Sequence, residues 1–61
     1  MNYKQEIKRM LSRIPNKVVS GSYNMALGYK AVAEKARTIA AKSRPTEAEL
    51  LRAYADLQAY E

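Results

Sequence analysis

Met25, Tyr29, Val32, Ala36 and Ile39 follow one another at intervals of four, three, four and three residues. That spacing keeps one apolar stripe on one side of an α-helix, and a strand cannot satisfy it. The spacing predicts a helix over 24–42, which commits almost a third of a 61-residue chain to one element. Gly28, Ala33 and Ala40 flank the stripe, and small residues there let a second helix approach closely. Gly28 costs about 1 kcal/mol against Ala inside a helix, so its presence implies a packing reason.

Two further helices are legible. Tyr3, Ile7, Met10, Leu11 and Ile14 fall on one arc of about 100° and predict a helix over 2–13. Pro15 disfavours the α conformation at Ile14 and ends it. Thr46 followed by Glu49 has the form of a capping box, the clearest local signal in the chain. It opens a helix over 47–60 with Leu50, Leu51, Tyr54 and Leu57 on its apolar stripe. Arg52 is in reach of Glu49 and Asp56 on that helix. The segment 14–23 carries turn chemistry at Pro15-Asn16 and Ser20-Gly21-Ser22. Val18 and Val19 between them fit either one helical turn or an extended connector. The expected fold is a single all-α domain of three helices, the second and third forming an antiparallel hairpin. Its expected core is Ile7, Met10, Leu11, Ile14, Met25, Tyr29, Val32, Ala36, Ile39, Leu50, Tyr54 and Leu57.

This core has no covalent help. The chain lacks Cys and His, so disulfides and the commonest metal ligand are both excluded. Fourteen large aliphatic residues against ten Ala make the core thin, and a homodimer is the natural alternative to a monomer. The longest uncharged run, 18–29, is too short to span a bilayer. A cytoplasmic location is expected.

Charge is segregated. Residues 1–44 carry +8 and residues 45–61 carry −3, for a net +5. One reading is internal complementarity, an acidic third helix fixed beside two basic ones. The other is a basic surface for an acidic partner. Lys30, Lys35 and Arg37 are grouped as one basic ridge on the second helix. Lys4 and Lys8 share a side of the first, and Leu27, pointing away from the apolar stripe, is the candidate anchor. Tyr60 is a second apolar residue off its stripe.

Catalytic constellations are missing from the sequence. No His stands by to activate Ser12, Ser20, Ser22 or Ser43, and Glu47 and Glu49 diverge on their helix. No metal-ligand cluster, phosphate loop or dinucleotide fingerprint is present, so no cofactor is expected. A helix-turn-helix alignment fails with either Gly21 or Gly28 as its turn glycine. The expectation is a non-enzymatic protein that docks a basic helical face on an acidic protein. Its short, cationic, motif-free profile is of the type of small phage or plasmid products that modulate a host macromolecule. Sequence-nonspecific nucleic-acid binding is the alternative, since the net charge suits phosphate contacts and Tyr23 is free to stack. Membrane-surface binding through the short basic amphipathic first helix is the second alternative.

Overall fold

The computed structural model describes residues 2–61. Among these the chain is all-helical, with α1 at Tyr3–Leu11, α2 at Asn16–Ser20, α3 at Tyr23–Ala41 and α4 at Glu47–Gln58. Three of the helices are substantial and α2 is little more than one turn.

Each long helix starts on a side-chain cap, because the first N–H groups of a helix have no intrahelical acceptor. Asn2 Oδ1 accepts from the Gln5 N–H at 3.2 Å. Ser22 Oγ accepts from the Met25 N–H at 3.4 Å. Thr46 Oγ1 accepts from the Glu49 N–H, and Glu49 Oε1 in turn accepts from the Thr46 N–H, each at 3.1 Å. The capping box is therefore formed in full.

α1 stops two residues short of the expected end. Ser12 closes it, with Oγ bonded to the Arg9 carbonyl, because the residue before Pro15 must leave the α region. Ile14 thus lies beyond the helix, and the helical projection that placed it in the core no longer applies. It is 64% exposed. The segment after it is not an irregular connector. Pro15 is buried at the N-cap of α2, Val18 is half-buried, and α2 packs on α3.

The core consists of Ile7, Met10, Ala36, Ile39, Ala40, Ala53 and Leu57, with Leu11, Tyr29, Val32, Leu50 and Tyr54 packed against it. Met25 is half-buried outside this cluster. Leu51, expected on the α4 stripe, is also largely exposed. Alanines make up more of the core than the expected set holds. Ala40 and Ala53 are buried in the cluster beside the expected Ala36, and Ala33 is also buried. Small side chains at these positions let the helix backbones approach, so fewer large residues are needed to fill the space between them.

Four contacts set how the helices lie. Tyr3 of α1 meets Tyr54 of α4 with ring centroids 5.4 Å apart. Tyr29 Oη donates to the Arg13 carbonyl at 3.2 Å, and Lys4 Nζ donates to the Lys42 carbonyl at 3.3 Å. The start of α1 therefore lies at the end of α3, and the end of α1 near the start of α3. Tyr60 packs edge-on against Tyr29 at 5.8 Å and lies over Gly28. It is half-buried there and not a free second face.

Gly28 has the packing reason its position implied. A Cβ built there would stand 2.5 Å from Tyr60 Oη. In a Tyr60→Ala background, Gly28→Ala is expected to stabilise the fold by about 1 kcal/mol, the helix-propensity gain. In the wild type, displacement of Tyr60 offsets part of that gain. Denaturant unfolding of the four-member mutant cycle measures the difference. The same assay separates the two isoleucines of the α1 stripe. Ile7→Ala is expected to cost about 2–5 kcal/mol as a core truncation, whereas Ile14→Ala stays within about 0.5 kcal/mol.

Candidate functional site

Cations dominate the surface, and the structure sorts them by whether a carboxylate answers them. Arg13 Nη2 meets Glu61 Oε1 at 3.0 Å, tying the end of α1 to the C-terminus. Arg9 lies 3.8 Å from Glu6 one turn away. Lys42 pairs with Glu49 across the α3–α4 turn. Glu49 is thus taken by Lys42 and not by Arg52, which has no ion pair among the described residues. Two of these three pairs join separate parts of the fold, as internal complementarity between the acidic third and the basic body requires. Exposed pairs of this kind contribute little stability each.

Glu49 is the most strongly conditioned acid. The hydrogen bond from Lys42, then the backbone N–H and hydroxyl of Thr46, pull its carboxyl down from 4.5 to about 2. A depressed carboxylate pKa stabilises the fold above the unfolded value, and the contribution is lost as pH falls through the folded value. Wild-type thermal stability is therefore expected to decline between pH 4.5 and about 2 partly through this group. Glu49→Gln should flatten that part of the profile, read by circular dichroism melts across the interval.

The remaining cations do not form the ridge expected on α3. At 100° per residue, Lys30 and Arg37 stand about 20° apart, while Lys35 is about 140° from Lys30. Lys35 instead lines a groove between α3 and α4 together with Ile39, Ala48, Glu49 and Arg52. Lys30 and Arg37 lie on the exposed side of α3, away from that groove. Lys4 and Lys8 stand on the side of α1 that faces the end of α3, and with Asn2 and Gln5 they line a shallow hollow. The two contacts that register α1 against α3 place Lys8 roughly level with Arg37. Lys4 and Lys8 therefore stand on α1 near the end of α3, and Lys30 and Arg37 on the exposed side of α3. None of these four has an ion-pair partner among the described residues.

Leu27 sits one step further round α3 from Lys30, about 60° away, and is 48% exposed. Tyr23, one turn earlier on the same side, is 78% exposed. The helix period applied to Tyr23 and Leu27 together would have shown this pairing in the sequence. Tyr3 and Tyr29 are occupied by internal contacts, which leaves Tyr23 as the exposed ring. The α1 route to a membrane surface loses its apolar face, since Ile7 and Met10 are buried in the core.

Among the described residues no three acidic side chains converge into a metal-binding group, and no helix is long and apolar enough to cross a membrane. Comparison with protein-family models, with curated proteins and with solved structures returned no match.

Proposed function

We propose that the chain is a non-catalytic binding protein that docks a basic surface of α1 and α3 on an acidic partner protein. The carrying observation is the surplus of cations that no carboxylate answers. Among the described residues Arg9, Arg13 and Lys42 are paired and eight Lys and Arg are not; four of the eight, Lys4, Lys8, Lys30 and Arg37, stand on the neighbouring helices α1 and α3. Lys8, Lys30 and Arg37 supply long-range steering and rim contacts. Lys4 contributes less, because its ammonium already serves the Lys42 carbonyl. Leu27 and Tyr23 supply the apolar anchor that steering alone cannot provide. In this reading α3 and α4 form an antiparallel hairpin that holds the surface rigid, and the protein acts in the cytoplasm.

Nucleic acid is the second reading, favoured by the exposed ring of Tyr23 on the same side of α3 as Lys30, two turns away. The two readings part on salt. Binding to duplex DNA should weaken with a log–log slope near 0.9 per phosphate contact. An apolar-anchored protein complex depends on salt much less. The test begins with anisotropy of labelled random duplex DNA, single-stranded DNA and RNA at two salt concentrations, followed by affinity capture of a protein partner. Lys8→Glu with Arg37→Glu should weaken capture by about tenfold or more, and Lys35→Glu should leave it unchanged. Equal losses from Lys35→Glu would move the surface to the α3–α4 groove. Steeply salt-dependent nucleic-acid binding would replace the protein reading.

A further inference from the structure

The outward side of α3 repeats the four-three spacing a second time. Tyr23, Leu27, Lys30, Glu34, Arg37 and Ala41 follow at intervals of four, three, four, three and four residues, and all six are exposed. They occupy an arc of about 80°, opposite the buried stripe. Alternating steps of four and three keep a stripe on one side of a helix, and this one is apolar at its start, charged at its middle and small at its end. Glu34 lies one turn from both Lys30 and Arg37, yet forms an ion pair with neither.

Laid antiparallel on its own copy about the level of Val32, this series is complementary to itself. Tyr23 falls opposite Ala41, the large ring against the small side chain. Leu27 falls opposite Arg37, whose alkyl stem can cover it while the guanidinium reaches water. Lys30 falls opposite Glu34. Symmetry makes each contact twice, which is the requirement for a closed two-fold interface. A parallel alignment instead sets Lys30 against Lys30 and Glu34 against Glu34.

We propose that the chain forms an antiparallel homodimer through this face of α3, with Lys30 and Glu34 of the two copies paired across the axis. Polar seam positions fix register and orientation and lower affinity relative to an apolar seam. The dimer is therefore a reversible one. The proposal goes beyond the acidic-partner reading and competes with it for residues. Paired copies cover Tyr23, Leu27, Lys30 and Arg37, leaving Lys4 and Lys8 for the acidic partner.

The test uses purified protein alone, so its failure is distinct from failure of the partner reading. Sedimentation equilibrium of the wild type, at concentrations rising to about 1 mM, is expected to show the dimer. Lys30→Glu and Glu34→Lys should each weaken it by about tenfold or more, and the double exchange should restore it to within about threefold. Circular dichroism checks that each variant keeps its helices, as exposed positions should allow. Because the chain has no Cys, Lys30→Cys and Glu34→Cys proteins can be mixed under mild oxidation. Preferential disulfide formation between the two variants is expected. A monomer at every concentration, single variants without effect, a double exchange that does not restore, or like-with-like cross-linking would each overturn the proposal.

Discussion

The close approach of helix backbones at alanine is what the rest of this structure depends on. Ala36, Ala40 and Ala53 are buried where three helices meet, with Ile7 and Leu57 as the fully buried large side chains. A chain with neither disulfides nor a metal must offset its conformational entropy by burial and close packing alone. Few large aliphatics are available, so the space between helices must be small. Alanine accomplishes this at little side-chain entropy cost and with the best intrinsic helix propensity. The same economy explains Gly28, where the backbone of α3 yields room for the Tyr60 ring.

Close packing through small residues leaves the tyrosines at the margins, and there they act as spacers with polar ends. Tyr3 lies on Tyr54, and Tyr29 on Tyr60. The hydroxyl of Tyr29 reaches the Arg13 carbonyl, two residues past the end of α1. An aromatic body with a polar tip suits such half-buried positions. The charged pairs lie further out still, at Lys42–Glu49 and Arg13–Glu61. They define which ends of the helices meet more than they add to stability.

What the sequence disclosed follows this hierarchy. Helix existence was legible wherever periodicity and a cap coincided, as at Thr46–Glu49, because both signals are local. At Ile14, the residue before Pro15, the local rule and the periodic rule conflict, and the local rule decides. Burial of Ala33, Ala40 and Ala53 is not legible, because an alanine carries little hydrophobic signal and burial at a helix crossing depends on partners far away in the chain. On the surface, Lys30 and Arg37 share a flank by helix period, and Lys35 does not. The placing of Lys4 and Lys8 near the end of α3 is a tertiary fact, set by where α1 docks. It rests on long-range contacts at Lys42 and Arg13 that no single helix encodes.

A thin core has a further consequence for α3. One side of this 19-residue helix is spent on alanine-mediated packing, and the fold has no layer left to cover the other. An isolated solvent face would be expected to carry charges placed without regard to one another, or placed to pair within the helix. Lys30, Glu34 and Arg37 are close enough to pair that way, yet Glu34 engages neither. Leu27 and Tyr23 stand exposed on the same arc, and the arc keeps the four-three spacing that the buried side uses. An ordinary solvated face accounts for the charges, but not for two large apolar residues exposed in line with them. A face that is covered part of the time accounts for both, because its apolar positions gain from contact and its charges tolerate water when the contact opens. Such a face suits either proposed partner, a second copy or an acidic surface.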